Sequence, residues 1–569
     1  MSQHIVVIGG VALGPKAACR FKRLEPGSTV TMIDQSSLIS YGGCGIPYYV
    51  SGDVSDAREL CTTSFHMVRD PQFFKEVKGV DVQILTKATR IDRENKRVEV
   101  ESMTTGEKSF IDYDKLVIAT GASPRKLNLP GEDLKGVSYV CNPDDATNIR
   151  DGISKGEVGN AVIIGAGFIG LEMAEAFADM WGVETSVVEI TDQIMPRLVS
   201  PSLATMAQKH MEEGGVNFYF GERVTAIEGE NGKVTRVITD KRTLDADAVI
   251  VSAGVVPNSQ LAADAGLEVH DRGGVIVDEY MRTNDPDIYS GGDCAIVKHL
   301  ITGDPAFLPL GSMANRQGRV IGTNLANGNA RFDGVVGSFV VKLFESSLAG
   351  TGLSLESALA AGFDAISVLL IQLDRAHFYP SKELMTLEMV VDKETRRVLG
   401  VQGYGSSKDA MVGRINAVAA ILKNKPTIDD ISNMEMAYSP PFAAAMDILN
   451  SLANLADNVL VGINRGVGPD GFQELWEKRE QGECYFLDCR EAADAAEYIE
   501  RNPEHWHNIP QGQIYEHLED IPNDKPVVLI CNTGARSYEA QVMLDDRGFK
   551  DVINVQGGMA AIKKYGVDL

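Results

Sequence analysis

Two stretches of this chain follow one plan, and that plan narrows the available folds more than any other feature. HIVVIGGVALGPKAACRFKRL reads as an apolar strand, a glycine-rich turn and a helix; the strand STVTMID follows and ends in Asp34. From Ala161, AVIIGAGFIG, a helix through LEMAEAFADMWG and the strand TSVVEI ending in Glu189 repeat the plan. Runs such as IVVI suit strands buried inside a parallel sheet. Each stretch is a βαβ unit with glycines at a helix N-terminus, where free N–H groups and the dipole favour a pyrophosphate. An acid about 20 residues further on receives ribose hydroxyls. The chain therefore contains two separate nucleotide-binding halves.

The second loop is complete, with Gly165, Gly167 and Gly170, and Glu189 follows Gly170 by 19 residues. Glu189 repels a 2′-phosphate, so NADH is expected, with NADPH as the alternative. The first loop has Gly9 and Gly14 but Val11 in the middle position, and Asp34 is its acid. KLVIATG and AVIVSAG are apolar strands that end at Gly121 and Gly254, and each would close one domain. In DIYSGGDCA, Asp293 stands at a strand end. There it can hydrogen-bond a ribityl hydroxyl or cap a helix.

The chain has 569 residues, which suits three or four domains at about 150 residues each. Its net charge is −25, from 54 Lys and Arg against 79 Asp and Glu. That balance argues against nucleic acid or an anionic membrane as partner. No run of about 18 apolar residues marks a membrane span. The N-terminus enters a strand directly, with no secretory signal in view. Eight cysteines are scattered with no CxxC pair and no metal-type spacing, so no metal site is expected, and a reduced, cytoplasmic protein is. Beyond residue 326 the pattern turns to alternating strands with a hairpin near Asp392–Arg396, then helical patterns at 407–423 and 427–436. The last hundred residues start a fresh α/β unit, with strand-like runs in CYFLDCRE, KPVVLICNTGARS and DVINVQGGM.

The two loops, ATG at 119–121 and GGD after TNDPDIYS resemble the pyridine nucleotide–disulfide oxidoreductase superfamily over residues 1 to about 450. That resemblance implies FAD at Gly9, Gly14, Asp34, Gly121 and Asp293, and NAD(P)H at Gly165, Gly167, Gly170 and Glu189. It implies an α/β fold with two Rossmann-like domains: FAD-binding at 1–120 plus 255–325, and NAD(P)H-binding at 121–254. An α+β dimer-interface domain would occupy 326–450, and a connector with a helical pattern 451–465.

Many members of the superfamily carry a pair of cysteines where this chain has ISYGGCGIPYYVSG, with Cys44 alone. Cys44 must then cycle with an external sulfur. SYGGCGIPYY is similar to the coenzyme A-disulfide reductases and related persulfide reductases. The resemblance extends to AHFYP, with Tyr379, and to AYSPPFAAAMD, with Tyr438. It implies that Tyr438 reaches the partner subunit's active cysteine, hence a homodimer with composite sites. Lys16, Arg20 and Arg23 fall at i, i+4 and i+7 on the first helix and share a face. By resemblance they bind coenzyme A, together with Ser40, Lys78 and Asn315. Met446 departs from the pattern, since some relatives have a lysine there. Peroxidases of the superfamily place a histidine where this chain has Ala12, which disfavours peroxide cleavage.

CNTGARS follows an apolar strand and precedes a helix. A loop there aims N–H groups into a cradle that favours a thiolate at Cys531, and Arg536 adds charge. With LDCRE (Asp488, Arg490) and NIPQGQI, residues 466–569 resemble a rhodanese-like domain.

These readings combine into an NADH-dependent FAD enzyme that reduces persulfide, polysulfide and CoA disulfide. Cys44 attacks a CoA persulfide and releases hydrosulfide, while Cys531 handles sulfane sulfur. The alternatives are a sulfur or redox sensor with little turnover, and an NADH oxidase or peroxidase.

Overall fold

A computed structural model describes residues 2–408 and 410–569. The chain divides into two compact units. One holds the chain up to Ile190 together with Tyr219–Val335, and the other Thr191–Phe218 with Val336–Leu569.

In the first unit, five parallel strands run in the order Ile288–Ser290, Lys115–Ile118, His4–Ile8, Thr29–Ile33, Asp81–Gln83. The run IVVI is the fully buried centre, as its uninterrupted apolar character requires. Helix Leu13–Leu24 buries Ala17, Ala18 and Phe21 beside Ile5 and Val7. A second sheet contains, side by side, the parallel strands Glu184–Glu189, Asn160–Ile164, Ala248–Val251 and Val137–Ser138. Both glycine loops lie at the C-terminal ends of central strands, where open α/β sheets bind ligands. Two three-stranded antiparallel sheets, Thr86–Asp92 with its partners and Val224–Glu230 with its partners, have no counterpart in the sequence reading. Their exposed faces carry so many charges that the apolar alternation is masked.

The second unit has an antiparallel sheet in the order Phe339–Leu343, Ser346–Gly352, Val398–Ser406, Leu384–Asp392, Ala365–Leu373. The expected hairpin turns through Arg396, whose φ is +59°. Helices Ala410–Leu422 and Ile428–Ser432 match the helical patterns, apart from Asp409, which lies outside the described residues. Most of the 451–465 stretch is the helix Ile448–Leu460.

The C-terminal sheet is parallel, in the order Gly466–Val467, Val552–Val555, Val527–Ile530, Tyr485–Asp488, Trp506–Asn508. Phe472, Trp476, Phe486 and Trp506 interlock on one face by edge-on and stacked contacts. Each contributes about 1.5–3 kcal/mol by leaving water. Among the described residues no helix is long and apolar enough to cross a membrane.

Candidate active site

The two glycine loops are built alike. Gly9 N–H donates to Ile33 O, and Gly165 N–H to Val188 O, both at 2.9 Å. The next N–H in each loop finds the acid: Gly10 to Asp34 Oδ2 at 2.7 Å and Ala166 to Glu189 Oε2 at 2.8 Å. Each acid therefore braces its own loop and has a second oxygen besides; that of Asp34 accepts Ser36 N–H. A Cβ on Gly14 would run into the Gly9 carbonyl, and one on Gly170 into the Gly165 carbonyl. Only glycine permits these approaches of helix to strand. A cavity of about 300 Å³ lies beside the first loop, between Gly9, Asp34, Thr120 and Asn258. Asp293 sits in the turn Gly292–Cys294, where burial without counter-charge pushes its carboxyl up to about 6. Gly121 has a φ of +67°.

Cys44 lies in the turn Gly43–Gly45 and reaches the surface. Gly311, the first residue of helix Gly311–Leu325, lies beside its sulfur, and the Gly311 N–H favours the thiolate. A thiolate there is favoured by the helix dipole. Loss of hydration opposes this and holds the thiol above its ordinary pKa, with Glu172 adding to the rise. Glu172 accepts the Tyr48 hydroxyl at 3.2 Å. Burial, reinforced by Glu175, pushes its carboxyl up to about 7. Glu172 is thus neutral on the acid side of pH 7, and on ionising it discourages the Cys44 thiolate. In Glu172→Gln the thiolate forms at lower pH than in the parent. The pH dependence of Cys44 alkylation measures this, and an unchanged midpoint contradicts the coupling.

A second cavity, of about 350 Å³, lies beside the Cys44 turn. Gly42 forms part of its wall, and Asn315, one turn into the helix that starts at Gly311, forms another. Lys16, Arg23, Ser40 and Lys78 also line it. Arg20 does not. Its Nε donates to Thr323 Oγ1 at 3.1 Å, and its stem packs against Gly322. Arg20 is displaced about 40° around the helix from Lys16, enough to turn it toward helix Gly311–Leu325. The sequence reading missed Arg69, a fourth cation on the cavity wall. Its Nη2 donates to Leu60 O at 3.0 Å, while its buried Nε has no partner. Cys19 lines the same cavity, where Lys78, Arg23 and Lys16 offset part of the rise that burial causes in its pKa. Arg69 had no motif to reveal it. Glu172 could have been found from its place two residues after Gly170.

In the second unit, Ala376 N–H donates to Pro440 O, which joins the Tyr379 and Tyr438 segments. Tyr379 is half-buried, and Tyr438 is exposed together with Phe378, Phe442 and Met446. Tyr438, Phe442 and Met446 are exposed within one short stretch, as residues of an interaction surface often are.

Cys531 directly follows strand Val527–Ile530 and is buried. Its sulfur accepts Gly534 N–H at 3.1 Å and Ser537 Oγ–H at 3.2 Å. Gly534 takes a φ of +91°, which a side chain would disfavour. Arg536 is half-buried and lies 4.0 Å from Glu491. Asp488 and Arg490 form a buried ion pair, and Trp506 Nε1–H also donates to Asp488. These two brace the domain rather than line the sulfur cradle. Among the described residues no group of three or more His, Cys, Asp and Glu could hold a metal ion.

Two nucleotide loops and one thiol at a helix N-terminus define a two-dinucleotide, thiol-based oxidoreductase. The family model "Pyridine nucleotide-disulphide oxidoreductase" matches residues 3–318, its dimerisation domain residues 339–449, and "Rhodanese-like domain" residues 472–565. The chain belongs to the pyridine nucleotide-disulphide oxidoreductase family and bears a C-terminal rhodanese-like domain. It is 36% identical over 455 residues to a CoA-dependent NAD(P)H sulfur oxidoreductase of Pyrococcus abyssi, covering 80% of this chain and 98% of that one. It is similar throughout to the solved NAD-dependent persulfide reductase of A. fulgidus, with a TM-score of 0.92 and 37% identity over 98% of this chain and 99% of that one. An NADH oxidase of Methanocaldococcus jannaschii is 32% identical over 461 residues, 79% of this chain and 99% of that one. The family implies FAD and NAD(P)H. The close glycine approaches at both loops and the buried, uncompensated Asp293 fit those groups.

Proposed function

We propose that this protein uses NADH to reduce CoA persulfide, polysulfide and CoA disulfide at Cys44, with sulfane sulfur handled at Cys531. The observation that carries this reading is the cation-lined cavity beside the Cys44 turn. On a chain of net charge −25, four cations around one cavity need an anionic ligand to justify their proximity. A nucleotide with several phosphates and a thiol-ended arm suits such a cavity with a thiol beside it.

In this reading, FAD would be held by the Gly9–Gly14 loop, Asp34, Gly121 and Asp293, and NADH by the Gly165–Gly170 loop and Glu189. Lys16, Arg23, Lys78 and Arg69 hold phosphates, with Ser40 and Asn315 as polar contacts. Arg20 acts through Thr323 by positioning the helix that starts at Gly311. Cys44 thiolate, supported by the Gly311 N–H, attacks the inner sulfur of a CoA persulfide. Hydrosulfide leaves and a Cys44–CoA disulfide forms. FAD, when bound and reduced by NADH, supplies the electron pair that restores the thiolate and frees CoA. The exposed surface around Tyr438 would be covered in a homodimer, and the two tyrosine segments would approach the partner's thiol.

Anaerobic NADH oxidation with CoA persulfide tests the reading, and one sulfide is expected per NADH. Comparable NADH consumption with oxygen alone, and none with persulfide, would support an oxidase instead. A single stoichiometric burst would support a sensor. Arg23→Ala, Lys78→Ala and Arg69→Ala should each raise KM for CoA disulfide by about 10-fold or more, given about 1.5–3 kcal/mol for a hydrogen bond to a charged group. Initial rates across CoA disulfide concentrations measure this. An unchanged KM in all three contradicts the cavity assignment.

A further inference from the structure

Strand Tyr485–Asp488 runs parallel to Val527–Ile530, with Asp488 opposite Ile530. The last bond of this ladder runs from Cys489 N–H to Ile530 O at 2.8 Å and closes the Asp488–Ile530 pair. Cys489 and Cys531 are the next residues on the two chains, so the register carries them side by side just past the strand ends. Adjacent strands lie about 4.8 Å apart, within the roughly 4.4–6.8 Å between Cα atoms that a disulfide spans. Strand alternation puts both side chains on one face. Leu487 and Leu529, two residues back on each strand, share a core cluster with Cys489, whereas Phe486, Val528 and Ile530 belong to the opposite one. Both cysteines are buried and both are free thiols. Burial pushes the Cys489 thiol up, and the Cys531 sulfur raises it more than any other charged neighbour.

We infer that Cys489 is a resolving thiol for sulfur carried on Cys531. The inference rests on the reading of Cys531 as a sulfane-sulfur acceptor. In the step, Cys489 Sγ bonds to Cys531 Sγ, and the bond from Cys531 Sγ to the terminal sulfur breaks. The terminal sulfur takes the electron pair and leaves as hydrosulfide, joined by the proton of Cys489. The sulfane sulfur is reduced to sulfide while the two cysteine sulfurs are oxidised to one disulfide, so no outside oxidant enters. Two equivalents of a small thiol reopen the pair and leave as their own disulfide. Cys489 is held protonated by its burial, so closure is slow beside transfer to a thiol acceptor in the cradle. The pair discharges Cys531 when no acceptor is present, and does so without NADH or Cys44.

The test uses the full-length, flavin-loaded Cys44→Ser protein, without NADH. Thiosulfate is the sulfur donor, and excess donor is removed before sulfide and peptide masses are measured. About one sulfide per chain is expected, with a Cys489–Cys531 peptide pair lighter by two hydrogens than the two thiols. Adding Cys489→Ala or Cys489→Ser should reduce sulfide to the background of Cys531→Ser and leave one extra sulfur on Cys531. That extra sulfur also shows that the substituted domain is folded. The inference is overturned if protein with Cys489 intact keeps the extra sulfur on Cys531 and leaves Cys489 free. If no variant takes up sulfur at Cys531, the inference and the reading beneath it fall together.

Discussion

Cys44→Ser should lower NADH-dependent sulfide release by about 10³-fold or more, while bound flavin is still reduced by NADH. The size of the effect follows from the chemistry. A sulfur–sulfur bond is opened by a thiolate, and a serine hydroxyl at neutral pH neither ionises nor bonds productively to sulfur. No other thiol has the same environment. Cys44 is in the turn Gly43–Gly45, and its sulfur lies beside Gly311, at the start of helix Gly311–Leu325. Cys19 lines the neighbouring cavity but lies within helix Leu13–Leu24, where the backbone N–H groups are already committed. The two half-reactions separate cleanly: stopped-flow bleaching of the flavin reports the NADH side, and sulfide assay the other. Full sulfide release from Cys44→Ser would remove Cys44 from the reaction. Loss of flavin bleaching along with sulfide release would mean that the substitution damaged the flavin domain.

Cys531→Ser should abolish sulfur uptake from thiosulfate, by about 10³-fold or more, and leave CoA disulfide reduction within about twofold of the parent. The cradle explains the first half. Gly534 N–H and Ser537 Oγ–H both point at the Cys531 sulfur, and Ser537 is held in turn by Asn554. Serine cannot carry a sulfane sulfur there. The second half follows from the proposed function, in which CoA disulfide needs only the Cys44 thiol and the cation-lined cavity. Sulfur uptake is read by thiosulfate-dependent sulfite formation and disulfide reduction by NADH oxidation. Equal loss of both activities would contradict separate roles for the two thiols.

The fold was largely legible because its strongest signals are local. A fully apolar strand, a glycine turn and an amphipathic helix within about 30 residues leave few alternatives to a βαβ unit. The loops needed glycine for contacts within their own unit: Gly14 against Gly9, and Gly170 against Gly165. The antiparallel sheets escaped notice because their exposed faces dilute the apolar alternation.

The site was legible only in part. Cys44, flanked by glycines and without a second cysteine nearby, stood out from sequence. Lys16 and Arg23 were placed together by helical spacing, and both reach the cavity. The same spacing included Arg20, which the neighbouring helix draws away through Thr323. Arg69 reaches its position through packing between elements, so the residues next to it in the chain carry no mark of it.

The two nucleotide loops, their acids, the lone Cys44 and the Cys531 loop can be read from the chain, because each depends on backbone geometry over a few consecutive residues. That Gly311 lies beside Cys44, that Arg69 joins the cations of the first helix, and that Cys489 and Cys531 come side by side at the ends of paired strands emerges only from the packed fold. Helical and strand periods set which way a side chain points within its own element. Which residue meets it there depends on how distant elements pack and on strand register, and those are settled by the burial of the whole core rather than by any local run of residues.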